Sequence, residues 1–313
     1  MPKRSADRLI RPWPARLALV VLVALAGCAV TGPDAPSTAP SSNPACNLAT
    51  PGAATAAVGK LVNAAGTSQA IRVTIDLCAA SLTYLQSDEA ISLGWEDGQV
   101  ATLDSDVVYV GQAGFDVYTF NFNNVGLMFT EAANLAGSSD NQELQINEYN
   151  DGRVLMTVTT SPESQTIFFQ PDATLVPWLD FTTPAGLAAA LTDVAGDGVQ
   201  LLDLGLDDEG FYADVRVTQT IIERRTRPAK QPAYIAQRTA ASTYQSFGAG
   251  IINTDVLSNL LDTVPASLNK PDARTSLIID RRDSQPQPII RISVGLTTRL
   301  FTLDGIDVTD QLH

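Results

Sequence analysis

The sequence predicts an α+β fold: one large, curved antiparallel β-sheet, a half-barrel, with about three helices packed on its concave face. Most of the chain alternates between short strand-like segments and polar or glycine-containing turns, a pattern typical of strands joined by hairpins. Three stretches instead repeat apolar residues at helical spacing. Apolar residues make up 45% of the 313 residues and charged residues 17%, which provides enough apolar material for a buried core.

The first folded element is predicted to be a helix that begins at Thr50-Pro51 and ends near Gly66. A threonine hydroxyl caps the first turn, and proline suits the first helical position. Segment 71–77 then alternates apolar and polar residues, as a half-buried strand does. Asn150-Asp151-Gly152 predicts a hairpin turn, and the other strands expected in this part are 90–96, 99–103, 107–111, 115–122, 143–149, 153–160 and 165–170.

Helical periodicity returns at Thr183-Pro184, which predicts a second helix over 184–194. A third helix is expected to be capped by Asn253 or Thr254 and to end before Pro265. Segment 234–247 is ambiguous, although its Thr, Tyr and Ser content favours a strand. Strands are also predicted at 199–206, 211–223, 276–281, 288–295 and 299–303.

The N-terminus has the pattern of a targeting segment. Five basic residues precede an apolar run of eleven residues, 17–27, whereas a membrane-spanning helix needs about 20. The run ends in Leu25-Ala26-Gly27-Cys28, which looks like the lipobox of bacterial lipoproteins. The resemblance implies that residues 1–27 are removed as a signal peptide, and that Cys28 is acylated. The exported chain would then be lipid-anchored to the outer face of the cell membrane, or to the outer membrane if the cell has two. An ordinary secretory signal and a short uncleaved anchor are the alternatives.

Residues 28–45 are rich in Pro, Ser, Ala and Thr and are predicted to form a disordered linker, followed by a single domain over 46–313. With Cys28 acylated, Cys46 and Cys78 remain. Because an exported domain lies in an oxidising compartment, we predict a Cys46–Cys78 disulfide that contributes roughly 3–4 kcal/mol. Two buried free thiols are the alternative.

Charge and histidine content exclude several functions. The single histidine is the last residue, His313, which argues against histidine-based catalysis and histidine-ligated metal sites. The net charge is −14, and becomes −18 without residues 1–27, because five basic residues and one acid are lost. Such acidity argues against a nucleic-acid partner. No cofactor or metal is expected, and the chain is predicted not to be an enzyme.

Three short motifs suggest chemistry only weakly. Ser267 and Lys270 match S-x-x-K, but the companion motif is absent. Segment 193–198 is similar to the start of a calcium loop, yet Ala195 and Leu204 occupy two positions that should carry ligands. The basic run 224–230 would suit an anionic surface, or a solvated loop between strands. None of these motifs predicts a reaction.

The order of elements resembles the LolA-like fold, especially the LppX and LprG group of actinobacterial lipoproteins. Three matches carry the resemblance: a helix leading directly into a strand over 50–77, the helical segment 186–191 preceded by Leu179-Asp180, and a late helix followed by the pair 277–280 and 288–291. The resemblance implies an acylated, tethered half-barrel that holds a lipid between its sheet and its helices.

We therefore expect a membrane-anchored envelope lipoprotein that binds or carries a lipid or another hydrophobic ligand in an apolar cavity between sheet and helices. Acyl chains require little more than buried apolar area. The alternative is a non-enzymatic structural or interaction lipoprotein that docks an envelope protein partner. The residues expected to line the cavity, which would equally suit ordinary core packing, are Leu187, Leu191, Leu257, Leu260, Leu261, Phe120, Phe122, Ile167, Phe169 and Trp178.

Overall fold

The computed structural model describes residues 47–104, 107–161, 165–196, 198–240, 242–282 and 285–312. In this part of the chain the structure has four α-helices and two large, open sheets, and all strand pairings are antiparallel. The predicted α+β class is confirmed. The prediction of one sheet and about three helices is wrong, since the strands divide between two sheets and a fourth helix is present. The predicted signal peptide, Cys28 and the linker lie outside the described residues.

The first half of the fold comprises two helices and nine strands. Its helices are α1 (Ala53–Ala65) and α2 (Val125–Ala136). Its strands are β1 (Gln69–Ala70), β2 (Arg72–Ile75), β3 (Ala79–Gln86), β4 (Glu89–Glu96), β5 (Gln99–Leu103), β6 (Phe115–Asp116), β7 (Asp140–Asn150), β8 (Arg153–Ser161) and β9 (Ile167–Phe169).

The second half of the fold adds two helices and eight strands. Its helices are α3 (Pro184–Ala195) and α4 (Thr254–Ser267). Its strands are β10 (Gln200–Leu206), β11 (Phe211–Arg216), β12 (Ile221–Arg227), β13 (Tyr234–Thr239), β14 (Phe247–Gly248), β15 (Thr275–Asp280), β16 (Ile289–Val294) and β17 (Thr297–Phe301).

The two halves repeat the same topology. The first large sheet has the strand order β5-β4-β3-β2-β7-β8-β9, and the second has the order β13-β12-β11-β10-β15-β16-β17. The short strand β6 pairs with β1 just as β14 pairs with β10, and each is followed by a 3-10 turn and a helix. The described chain is therefore an internal duplication of one unit of helix, four-strand meander, helix and three-strand meander.

Each half buries its own apolar core between one sheet face and two helices. In the first half, Val73 and Leu82 point from the sheet toward Leu61 of α1 and Met128 of α2. In the second half, Leu204 and Ile279 belong with residues of α3 and α4 to a separate core. Successive side chains of a strand point to opposite faces, so the alternate residues lie on an outer face, away from the four described helices.

Local signals explain where the predicted element boundaries fail. Segment 211–223 is two strands rather than one, because the Thr218 hydroxyl accepts hydrogen bonds from the amides of Thr220 and Ile221 and closes a turn there. Segment 107–111 is not a strand, and only Phe115–Asp116 of 115–122 is extended in a sheet. Helix α4 continues through Pro265 to Ser267, so the predicted stop is wrong.

Candidate functional site

The ten residues predicted to line one cavity are divided between the two cores. Phe120, Phe122, Ile167 and Phe169 are buried in the first core, and Trp178 packs against it. Leu187, Leu257 and Leu260 are buried in the second, with Leu191 and Leu261 packed against it. Because each sheet has its own pair of helices, no single space in the described part of the chain is lined by all ten residues. That expectation is corrected.

The sequence motifs have structural roles. The Ser267 hydroxyl donates to the carbonyl oxygen of Val264 at 2.8 Å, as expected at a helix end. Asp193 of the calcium-like segment pairs with Arg227 at 2.6 Å. Arg224, Arg225 and Arg227 lie on strand β12 rather than in a loop. Among the described residues, no group of three or more His, Cys, Asp or Glu side chains is placed to hold a metal ion.

The Cys78 sulfur is engaged in a disulfide. Its predicted partner, Cys46, lies outside the described residues, so the Cys46–Cys78 pairing stays a prediction.

The outer face of the first sheet carries a trough of about 500 Å³ that crosses strands β2 to β5. Its floor is a cross-strand row of small residues, which the register places side by side: Thr74, Ser81, Gly94 and Ala101. The hydroxyls of Thr74 and Ser81 are hydrogen-bonded at 2.7 Å. A side chain at Gly94 would meet Leu103, which lies across it, with the nearest atom 2.8 Å from the Cβ position. The trough therefore depends on small residues in this row.

Acidic residues line one side of this trough. Asp76, Glu96 and Asp97 line it together with Gln99. Asp76 accepts hydrogen bonds from the amides of Cys78 and Ala79, both at 2.6 Å, which fixes its carboxylate at the turn. Lys60 approaches from the other side of the hairpin, where its ammonium donates to the carbonyl oxygen of Gly98 at 3.5 Å. The trough is thus a shallow, acidic site open at the β5 edge.

A second polar site occupies the outer face of the other sheet. Asp214, Asp203 and Asp280 lie side by side on β11, β10 and β15. Asp214 and Asp280 are fully buried, and each is paired with two arginines. Arg224 donates to both oxygens of Asp214, at 2.7 and 3.0 Å, and Arg238 adds a third bond at 2.5 Å. On the other side, Asp280 is paired with Arg282 at 2.7 Å and with Arg291 at 3.3 Å.

Asp203, at the centre of the row, has no arginine of its own. Its Oδ1 atom is buried without a hydrogen-bond partner among the described residues. Burial, the charge of Asp214 and a hydrogen bond with that carboxylate raise the pKa of Asp203 to about 7, against the opposing effect of Arg224 and Arg238. Burial likewise raises the pKa of Tyr212, whose ring lies 3.9 Å from the Arg224 guanidinium carbon.

A cleft of about 270 Å³ opens beside Asp203, bordered by Arg238, Ser242 and Tyr244. Arg216 fixes the main chain at this border, because its guanidinium donates to the carbonyl oxygens of Ser242 and Tyr244 at 3.0 and 3.4 Å. The Tyr244 ring lies 5.2 Å from the Arg282 guanidinium carbon. The arrangement can hold one proton between two carboxylates at neutral pH, and the four arginines beside Asp214 and Asp280 already have a carboxylate partner.

The sequence itself contains a signal for this row of three aspartates, which hydrophobic periodicity alone does not reveal. Asp203, Asp214 and Asp280 each stand in or at the end of an apolar strand segment, namely LLDLGL, FYADVR and TSLIID. A carboxylate between apolar residues of a strand is unusual unless it is paired. In the first sheet, the equivalent cross-strand row is Arg72, paired with Thr83 on one side and with Asn147 on the other. Asp203 is paired with Asp214 and Asp280 in the same way.

Comparison with known proteins gives no family. No protein-family model matches the chain, and no curated protein matches it. Similar solved structures include a putative DNA polymerase III β subunit from Eubacterium rectale, at 10% identity over 74% of this chain and 56% of that one, with a TM-score of 0.15. A sliding clamp from Bartonella birtlesii bound to griselimycin has 9% identity, coverage of 74% and 55%, and a TM-score of 0.14. The Helicobacter pylori β clamp in complex with 5-chloroisatin has 8% identity, coverage of 74% and 54%, and a TM-score of 0.13.

The chain thus spans little more than half the length of these clamps, and at such TM-scores the likeness supports no conclusion about fold or function. Within the described residues, no helix is both long enough and apolar enough to cross a lipid bilayer.

Proposed function

We propose that this chain is an exported, lipid-anchored interaction protein without enzymatic activity, which docks an envelope protein partner on the outer faces of its sheets. The observation that carries the proposal is the division of apolar residues into two separate cores, each packed between a sheet and two helices. Side chains that fill a core are not available to a ligand. The outer sheet faces, by contrast, carry polar residues and open clefts.

The expected lipid anchor at Cys28 supports the docking role, because it would keep the folded part close to envelope proteins. A tether of about 18 residues after Cys28 would hold the folded part near the membrane surface and raise its effective concentration toward an envelope partner. Two or three acyl chains anchor a protein stably. Replacing Cys28 with alanine is expected to move the chain from the membrane fraction to the soluble exported fraction, and labelling with a fatty-acid analogue should be lost.

Site-specific photo-crosslinking tests the docking role in intact cells. A photoreactive amino acid is placed at Ala101 on β5 or at Ala236 on β13, on the outer faces of the first and second sheets, and at least one of these positions should yield one discrete crosslinked protein. The same group at Leu127, on the exposed surface of α2, serves as the control and should yield none. Equal crosslinking at all three positions, or none at any, contradicts the proposal.

The second candidate is the binding or carriage of a lipid or other hydrophobic ligand on the outer face of the first sheet. The trough on the first sheet favours it, since its lining includes Gly94, Ala101 and Leu103. Native mass spectrometry of the purified chain distinguishes the two candidates. Bound lipid that is lost when Gly94 is replaced with valine supports carriage, whereas an apo mass with no uptake of a fluorescent fatty acid supports the interaction role.

A further inference from the structure

The outer edge of strand β5 differs from the other three edges of the two large sheets. Edge strands expose unpaired main-chain groups, and proteins usually block them. The β9 edge is covered by residues 174–176, whose Val176 amide donates to the carbonyl oxygen of Phe168 at 2.9 Å. The β17 edge is covered in the same way, since the Val308 amide donates to the carbonyl oxygen of Leu300 at 2.8 Å.

The β13 edge is blocked by a side chain. Asn150 receives a hydrogen bond from the amide of Ile235 at 2.7 Å, and donates one to the carbonyl oxygen of the same residue at 3.2 Å. One asparagine thus takes the place of a paired residue on this strand. Two of the four edges are therefore covered by main chain, and the β13 edge is capped at Ile235.

No described residue pairs with the outer edge of β5. The strand bonds to β4 on one side only, and four of its five residues are exposed. Its sequence, QVATL, contains no proline and no charged residue, which are common protective devices of an edge strand. A strand of this kind is a template for the addition of another strand.

Charge determines which strand would fit. The trough that opens at this edge is lined by Asp76, Glu96 and Asp97. From residue 46 to 215 the chain has three basic residues against 23 acidic ones. A second copy would bring the same acidic edge against this one, so repulsion disfavours it, whereas a basic segment is attracted.

We infer that β5 and the adjoining trough form a docking site for an extended, basic segment of a protein partner, which adds as a strand to the first sheet. The inference rests on the proposed function and names the partner's chemistry. About five residues of the segment would pair with β5, at roughly 3.3 Å per residue. A Lys or Arg side chain of the segment would lie with its stem over Ala101 and its charge toward Glu96, because long basic side chains cover apolar surface with their stems.

The test uses the full mature chain in detergent micelles and a fluorescent nine-residue peptide that alternates lysine and valine. We expect saturable binding that weakens as salt is raised, and new hydrogen-exchange protection confined to β5. A glutamate–valine peptide should not bind, and a lysine–valine peptide with a central proline should bind at least tenfold more weakly. Binding that is indifferent to the proline, or protection at another strand, overturns the inference.

Two alanines provide matched variants. Ala101 and Ala236 are both exposed on the edge strands of their sheets, and each lies on the outer face. Ala101→Lys should weaken peptide binding at least tenfold and Ala236→Lys should leave it unchanged, although both raise the net charge by one. Equal effects would show non-specific attraction to an acidic protein and would contradict a site at β5.

Other outcomes identify other occupants. A concentration-dependent dimer in analytical ultracentrifugation that Ala101→Lys abolishes would replace the basic segment with a second copy. Binding of neutral lipid vesicles without peptide binding would overturn the inference in favour of a lipid. If photo-crosslinking in cells finds a partner at positions far from β5, the docking role stands and the β5 site alone fails.

Discussion

Arg227 is a buried cation whose contacts join distant parts of the chain. Its side chain is fully buried, and its guanidinium donates to the Pro177 carbonyl oxygen and to the Asp193 carboxylate, both at 2.6 Å. It also donates to the carbonyl oxygens of Pro228 and Gln231. These bonds satisfy the guanidinium from several sides, so its removal leaves buried acceptors without donors.

We predict that Arg227→Ala lowers the free energy of unfolding by roughly 3–5 kcal/mol. Arg225 lies two residues away on the same strand and pairs only with Glu223, and its side chain is 28% exposed, so Arg225→Ala should cost less, about 1–2 kcal/mol. Urea unfolding followed by circular dichroism measures both values. Similar losses in the two variants would contradict the role given to Arg227.

Asp203 makes stability depend on pH in a direction opposite to that of most carboxylates. Its pKa of about 7 in the folded chain lies above the ordinary value of 3.8, so the folded state binds the proton more tightly than the unfolded state. Stability from this group is therefore complete below pH 3.8 and is lost as the pH rises through 7. The total loss is on the order of 4 kcal/mol.

Asp203→Asn removes this titration while keeping the side-chain shape. We expect the variant to be more stable than the native chain at pH 8 and to differ little from it near pH 4. The curve of unfolding free energy against pH should flatten between pH 4 and pH 7. A variant that is less stable at pH 8 would show that the charged form of Asp203 is required.

At the scale of elements, close backbone approach decides where helix α3 packs. Gly186 lies in its first turn, and a Cβ atom there would come within 2.0 Å of the Asp180 carbonyl oxygen. Gly59, in the middle of α1, has nothing within 4 Å of the same position. The two glycines thus have opposite roles although both are helical.

We predict that Gly186→Ala destabilises the chain by roughly 1–3 kcal/mol, because the helix must shift away from Asp180. Gly59→Ala should stabilise it by about 0.5–1 kcal/mol, through the better helix propensity of alanine. Thermal unfolding of both variants measures the difference. Destabilisation by Gly59→Ala would contradict the open space beside α1.

Some helices and strands could be predicted from the sequence, and others were missed. The start of α3 was predicted from its Thr-Pro pair, and the strand β5 from its flanking turns. The predicted Thr50 cap of α1 is wrong, because that helix begins at Ala53 after Gly52 and has no side-chain cap. Helix α2 was not predicted, although Asn124 precedes it, Gly137 follows it, and its buried residues Val125, Met128, Phe129 and Ala132 repeat at helical spacing.

The internal repeat was missed because equivalent positions differ in chemistry. Thr83 and Ser92 form a buried hydroxyl pair at 2.8 Å, whereas the same two positions of the second half hold Asp214 and Arg224. Both pairs satisfy polar groups on the outer sheet face, so the backbone is kept while the residues change. The candidate sites depend on strand register, which periodicity along one strand does not supply.

At the scale of the whole molecule, the two halves have separate cores but share hydrogen bonds. Asn150, at the end of β7, binds both main-chain groups of Ile235 on β13. The Tyr149 hydroxyl donates to the carbonyl oxygen of Pro232 at 3.0 Å, and the Lys230 ammonium lies 4.4 Å from the centre of the Trp178 ring. These contacts couple the unfolding of one half to that of the other.

We predict that Asn150→Ala weakens this coupling and lowers stability by about 1–2 kcal/mol, since two hydrogen bonds are lost. Asn147→Ala, on the same strand but without a contact to β13, is the matched control and should be nearly neutral. Tryptophan fluorescence reports the first half through Trp95 and the segment between β9 and α3 through Trp178, whereas circular dichroism reports both halves. The two urea transitions should coincide in the native chain and in Asn147→Ala, and should separate in Asn150→Ala. Coinciding transitions in all three proteins would show that the halves are coupled by contacts other than the Asn150 side chain.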